Sequence, residues 1–311
     1  MTQYISLKQR PKHFLAFTGL KVEEFDRLVV EIKQNWIDQR IERLNKNNPK
    51  RKRKFGGGRK RILNTLEDQL LITLFWAKLY SGYLLLEYLF DVDESTVCRI
   101  IQDIVLLLQD KFIFQDPRKT NRKKITTMDE LRKIIPDLDE ILVDATEQPI
   151  QRPSKKSKRK KYHSGKKKRF TIKTQLAVNK QGLILHLNNS VPGRKHDYKV
   201  FQESDLPDII PKQSKCYLDS GYQGIQKDYP DLNSVIPFKR TRNHKKLTRS
   251  EKIQNKKQRK VRVKVEHVIS RLKKYNVLSH IYRNSLQNYN STIRFVVNIV
   301  NFRTLQRLHS V

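Results

Sequence analysis

The feature that most constrains this chain is a change of hydrophobic period near Pro136. Before it, apolar residues recur at helical intervals. Phe25, Leu28, Val29, Ile32 and Trp36 follow the i, i+3, i+4, i+7, i+11 pattern of an amphipathic helix over 22–44. Asn64 and Glu67 form an N-terminal capping pair for a second helix reaching about Tyr80. After Pro136 the texture is different: ILVDA (141–145), FTIKTQLAV (170–178), GLILHL (182–187), KCYLDS (215–220) and NSVIPF (233–238) are short β-rich runs divided by turn residues. Two helical segments follow, 261–275 and 289–308. The expected organisation is therefore an all-α region over 1–125 joined to an α/β (α+β) domain over 135–311.

Within the first region, YLLLEYLF (83–90), a DVDE break and STVCRIIQDIVLLLQ (95–109) read as a helix-turn-helix. Asp93 would cap the second helix, which would bury Val97, Ile100, Ile101, Ile104 and Leu108. Ser95, Thr96 and Arg99 would face outward near its N-terminal end, where a recognition helix meets base edges. An ordinary helical hairpin would share this pattern, and Asp91, Asp93 and Glu94 make the turn acidic beside any phosphate. The apolar window Leu70–Phe90 is interrupted by Lys78, Glu87 and Ser81-Gly82, which fits a helical pair in a soluble domain better than a membrane span. Only two cysteines occur, Cys98 and Cys216, which excludes a disulfide framework and a paired-cysteine zinc site. With no apolar signal stretch at the N-terminus, these features suggest a reducing, cytoplasmic setting.

Charge is the second constraint. The formal net charge is +35, and three runs, 50–61, 154–169 and 239–264, carry +30 of it on 54 residues. Like charges so dense need a polyanion, and nucleic-acid phosphate is the favoured partner, with steep salt dependence expected. Solvated basic loops are the plain alternative. A membrane surface fits less well, because no run has a strong apolar helical face. Residues 45–61, with Asn, Pro and three consecutive Gly, read as a flexible basic linker. Lys160, Lys161, Lys166, Lys167, Lys168 and Arg169 in the second run are candidate phosphate contacts.

Three carboxylates could do chemistry. Asp144 and Asp219 each end a run of apolar residues, ILV and CYL, and a charge there is costly to bury unless paired or bound to a cation. Either could instead begin a turn. On a helix with 100° per residue, Glu266 lies within about 40° of Arg262 and Lys273, at the border of the stripe Val265, Val268, Ile269 and Leu272. Together the three acids could hold Mg²⁺ or Mn²⁺, hard ions that prefer oxygen ligands.

At these residues the sequence resembles bacterial insertion-sequence transposases of the DDE superfamily, in the branch related to Harbinger-type nucleases. The match is carried by LVDATEQPIQRP (142–153), YHSGKKKRFTIKTQ (162–175), PGRKHDYKVF (192–201) and YLDSGYQG (217–224). The helix around Glu266 is similar to the signature Tyr-x2-Arg-x3-Glu-x6-Lys, with Arg262, Glu266 and Lys273 in place and Arg259 where the Tyr should stand. The resemblance implies a ribonuclease-H-like fold, with Asp144, Asp219 and Glu266 as the catalytic, metal-binding triad for two ions. Arg262, Lys273, His196 and Asp197 are supporting candidates, and Glu147 is a competitor that a regular strand would turn to the face opposite Asp144, although a turn at Ala145-Thr146 could reorient it. It further implies a transposase in the bacterial nucleoid, acting as at least a homodimer on the element's terminal inverted repeats and on target DNA. A non-catalytic DNA-binding protein derived from such an enzyme would share the basic runs and the helix-turn-helix.

Overall fold

The computed structural model of the chain describes residues 3–47, 63–109, 111, 138–240 and 246–308. Most of the expected basic linker, 48–61, and part of the third basic run, 241–245, lie outside the described residues. The chain divides into two compact units. One gathers the described residues up to Lys111 with 273–280 and 291–308; the other takes 138–272 and 281–290.

In the first unit, α1 (Gln3–Lys8), α2 (Pro11–Thr18) and α3 (Val22–Asn47) precede α4 (Leu66–Leu79), α5 (Tyr83–Phe90) and α6 (Glu94–Leu108). The helical period of α3 is realised: Phe25, Leu28, Val29 and Ile32 are buried, and Trp36 is half-buried with its Nε1 donating to Gln69 Oε1 at 3.1 Å. The helix runs to Asn47, past the expected end at 44. A left-handed Gly19 (φ 78°) ends α2, and a Cβ there would stand 2.7 Å from the buried Tyr275 hydroxyl. Glycine serves both the turn and the close approach.

Helix α4 is apolar on nearly every side and correspondingly buried from Leu66 to Ala77, as befits the middle of a helical core. Its cap is Thr65, correcting the expectation of Asn64. Thr65 Oγ1 accepts from the Asp68 amide at 3.2 Å and donates to Asp68 Oδ2 at 2.7 Å. Tyr80 in the left-handed region closes α4, so the long apolar window is split, as expected, into two helices. Among the described residues no helix is long and apolar enough to cross a membrane. The break between α5 and α6 also matches expectation: Asp91 ends α5 at φ 52°, and Asp93 caps α6 by accepting from the Thr96 amide at 3.1 Å. Val97, Ile100, Ile101, Ile104 and Leu108 are all buried.

The second unit is built on a mixed sheet. Its strands are β1 (Glu140–Pro149), β2 (His163–Ser164), β3 (Arg169–Asn179), β4 (Ile184–Leu187), β5 (Val191–Pro192), β6 (Lys215–Tyr217) and β7 (Ser234–Val235). Helices α7 (Lys156–Tyr162), α8 (Asp197–Gln202), α9 (Leu206–Ile209), α10 (Ile225–Asp228) and α11 (Arg249–Lys273) connect and cover them. The order is β2-β3-β1-β6-β7, with β4 and β5 also pairing with β3. Strand β1 runs antiparallel to β3 and parallel to β6, which is parallel to β7. This mixed α/β architecture is the expected ribonuclease-H-like class.

Strand β1 is longer than the sequence suggests. Rather than ending at Asp144, it stays paired with β3 as far as Pro149, so Ala145-Thr146 is not a turn. Helix α11 likewise starts twelve residues before the expected 261, absorbing the end of the third basic run. The last helix, α12 (Tyr289–Leu308), buries Phe295, Val296, Val297, Ile299 and Phe302. Within the first unit Arg303 donates to Glu24 at 3.1 Å, Arg27 to Gln306 at 2.8 Å, and Asn298 to the Gln109 carbonyl at 2.7 Å. These contacts are why residues 291–308 belong with the N-terminal helices, a grouping that no contiguous split of the chain describes.

Removing the cap of the central helix is a direct test of how this unit is held. Thr65→Ala should cost about 1 kcal/mol, because the Asp68 amide loses its acceptor at a helix start. Thermal unfolding should show a lower midpoint for the variant; an unchanged midpoint would mean that the cap contributes nothing.

Candidate active site

The β1/β6 pair sets the geometry. Its parallel register aligns Leu142 with Tyr217, so Asp144 and Asp219, each two residues further on, emerge side by side at the carboxyl end of the parallel segment. Neighbouring strands lie about 4.8 Å apart, which brings two like charges close. The carboxyl ends of parallel strands are the usual place for a ligand in α/β sheets. Helix α11 supplies the counter-charge: Arg262 Nη1 donates to Asp219 Oδ1 at 3.0 Å, and Nη2 lies 3.7 Å from Asp144 Oδ2. Val265, Val268 and Leu272 are buried and hold this helix in place.

Asp144 is half-buried, and burial pushes its carboxyl above the usual range. The Ala145 amide, donating to Oδ1 at 2.8 Å, and Arg262 oppose that shift, whereas Asp219 and Asp197 reinforce it. Burial of Asp144 is thus not fully offset by its partners. All of the acidic donors are oxygens, which suits a hard divalent cation. Among the described residues, however, no group of three His, Cys, Asp or Glu gathers closely enough to hold a metal ion. Glu266 stands one turn beyond Arg262 on α11 and is exposed. Two acids of the expected triad and Arg262 are therefore assembled; the third acid is nearby in sequence and outside the cluster.

The His-Asp segment adjoins the pair. His196 caps α8 through Nδ1, which accepts from the Tyr198 amide at 3.4 Å, and a Cβ at Gly221 would lie 3.8 Å from its Cε1. That places the ring beside the turn that follows Asp219. Asp197 is held by Lys173, whose Nζ lies 2.6 Å from Asp197 Oδ1 and 3.5 Å from Glu147 Oε1 and donates to the Lys195 carbonyl at 2.6 Å. Glu147 pairs with Lys173 across β1 and β3, three residues from Asp144, and so faces the other way, as a regular strand requires. It also accepts from Thr171 Oγ1 at 2.7 Å. Lys173 is buried and was not singled out by sequence; a single Lys inside FTIKTQLAV looks like any solvent-facing strand position.

Other chemical groups of the sheet are quiet. Burial pushes the Cys216 thiol up to about 12, which removes it as a nucleophile. Tyr222 is buried, accepts from Gln175 Nε2 at 2.6 Å, and is pushed well above its ordinary value, chiefly by burial.

The expected nucleic-acid contacts fall in two places. Lys160 and Lys161 lie in the last turn of helix α7; Lys166, Lys167 and Lys168 occupy the exposed turn between β2 and β3, with Lys168 in the left-handed region at φ 52°, and the exposed Arg169 begins β3. On α6, Ser95 and Arg99 are exposed and Thr96 is half-buried. These three are bonded to one another and to the cap: Ser95 Oγ donates to Asp93 Oδ1 at 2.5 Å, and Arg99 Nη2 donates to Ser95 Oγ at 2.8 Å. The hydroxyls and the backbone amide lower the Asp93 carboxyl to about 2, so the cap stays charged. Lys273 is the last residue of α11 and is half-buried.

A stability test follows from the raised Asp144 carboxyl. A group whose folded value exceeds its unfolded value binds more protons when folded, so stability falls as pH rises through the carboxylate range. Asp144→Asn removes that cost while leaving Asp219 to Arg262. The metal-free variant should melt at a higher temperature than the parent at neutral pH, whereas a lower midpoint would show that Asp144 is paid for in full by its partners.

Comparison with known proteins identifies the family. A family described as "DDE superfamily endonuclease" matches residues 143–301, and one described as "Helix-turn-helix of DDE superfamily endonuclease" matches residues 62–112. The chain is 33% identical over 253 residues to the protein named as a transposase for insertion sequence element IS702 of Microchaete diplosiphon, covering 81% of this chain and 85% of that one. It is 25% identical over 271 residues to the protein named as a transposase for insertion sequence element IS112 of Streptomyces albus G, covering 86% of each. No solved structure matches the chain.

Proposed function

The chain belongs to the DDE superfamily of endonucleases, and on that premise we propose which residues carry out phosphoryl transfer in this DNA transposase. The observation that carries the proposal is the register of β1 and β6, which sets Asp144 beside Asp219. These two, with Glu266 as the third acid, are the residues to hold Mg²⁺ or Mn²⁺, two ions in all. When bound, such ions stabilise the attacking and leaving oxygens of an in-line displacement.

The reaction requires no covalent protein–DNA intermediate. Water attacks a phosphodiester at the element end and leaves a 3′-OH; that hydroxyl then attacks target DNA in a second displacement. Arg262 and Lys273 balance the carboxylates or meet DNA near the reacting phosphate. The basic α7 and the turn at 166–168 flank β3 and, with Arg169, track the backbone, while Ser95, Thr96 and Arg99 of α6 read the terminal repeat. To do so, Arg99 must exchange its bond to Ser95 for a base edge. The functional division is a DNA-reading region over 1–125 and a catalytic region over 135–311. Joining two ends calls for at least a homodimer, working on DNA in the bacterial nucleoid.

The direct test is cleavage of linear DNA carrying the element's ends, with Mg²⁺ or Mn²⁺ present. Lewis-acid stabilisation is worth several kcal/mol, so Asp144→Asn and Asp219→Asn should each lower the rate by about 100-fold or more. Cleavage retained in both variants would overturn the assignment.

A further inference from the structure

We propose that Arg262 is the resident counter-ion of the metal-free enzyme, and that DNA opens the metal site by drawing this guanidinium away. The inference rests on the reading of Asp144 and Asp219 as metal ligands and adds a control on when they become available. One guanidinium spans both carboxylates, with Nη1 3.0 Å from Asp219 Oδ1 and Nη2 3.7 Å from Asp144 Oδ2. It takes up the negative charge that a shared cation would otherwise meet. A cation that enters between the two aspartates therefore competes with an existing charge.

Arg262 is well placed to leave. It is anchored on α11 and not on the sheet, so a change of side-chain torsions can withdraw the fork while β1 and β6 stay fixed. Its Nε is buried and lacks a hydrogen-bond partner among the described residues, which leaves a donor unused. A phosphate can take two donors of a guanidinium at once, a match that a single carboxylate oxygen does not provide. This helix also offers charge to phosphates: Lys252, Lys256, Lys257 and Lys260 are exposed along α11 before Arg262, and Lys264 just after it.

A reciprocal coupling results. If DNA removes the competitor, DNA strengthens cation binding, and by linkage the cation strengthens DNA binding by the same factor. Without DNA the site remains closed by its own arginine. Glu266, one turn further along α11 and exposed, is free of the cluster in this closed arrangement.

The test is Mn²⁺ binding to the full chain, followed by electron paramagnetic resonance with and without random-sequence duplex DNA. The Asp144→Asn/Asp219→Asn double variant, measured under the same conditions, subtracts ions bound elsewhere on protein or DNA. Without DNA, Arg262→Gln should bind Mn²⁺ about tenfold more tightly than the parent, within the range usual for coupled sites. Adding DNA should tighten binding in the parent by a similar factor and change Arg262→Gln little. Arg262→Lys, which keeps the charge but loses the fork, should fall between, and it carries the test if the glutamine variant does not fold. Equal or weaker Mn²⁺ binding by the variants than by the parent would overturn the counter-ion role while leaving the ligand assignment intact. Absence of any binding that depends on Asp144 and Asp219 would instead overturn the metal site, and this inference with it.

Discussion

Two carboxylates side by side at the end of a parallel strand pair are the interaction on which the rest of the second unit turns. Partial withdrawal of Asp144 from water, reinforced by the neighbouring Asp219 charge, disfavours the ionised form of Asp144. Such a pair persists only where the fold holds it and a cation is at hand. The sheet does the holding, since β1 is clamped on one side by β3 over its full length and on the other by β6. The positive charge beside the two carboxylates is that of Arg262, 3.0 Å from Asp219 and 3.7 Å from Asp144. Concentrating uncompensated charge this way favours ligand binding over stability, a common exchange at functional sites.

The strong positive charge of the chain makes sense around this site. An acidic pair repels phosphate unless cations intervene, and two of the basic runs adjoin it along the chain. The second folds into α7, the β2–β3 turn and the start of β3; residues 249–264 of the third form the largely exposed first part of α11. Lys173 is different in kind. It is buried between Glu147 and Asp197, and it fixes the neighbours of the site. The first unit has its own logic: a capped, almost wholly buried α4 supports the α5–α6 pair whose outer helix carries the polar candidates for base reading.

Much of this was legible in the residues. The face of α3 and the buried row of α6 follow directly from helical spacing, and the strand-end aspartates stand out because an acid follows three apolar residues twice. What local pattern cannot convey is pairing at a distance. The polar stretch DATEQ looks like a turn, yet it remains a strand because β3 is long enough to pair with it as far as Pro149. Asn64 and Thr65 are both competent caps one residue apart, and it is the bond to Asp68 that selects Thr65. The grouping of α12 with the N-terminal helices depends on partners more than 180 residues away, such as Gln109. Helical rotation put Arg262 on the face of Glu266, but its position between the two aspartates needed the sheet register as well.

The carboxylate pair can be examined most directly by anomalous diffraction from Mn²⁺ in crystals of the protein bound to DNA. A peak between Asp144 and Asp219, with Arg262 withdrawn toward a phosphate, is the expected result. Manganese found only elsewhere, with Arg262 still between the two carboxylates, would contradict the central assignment.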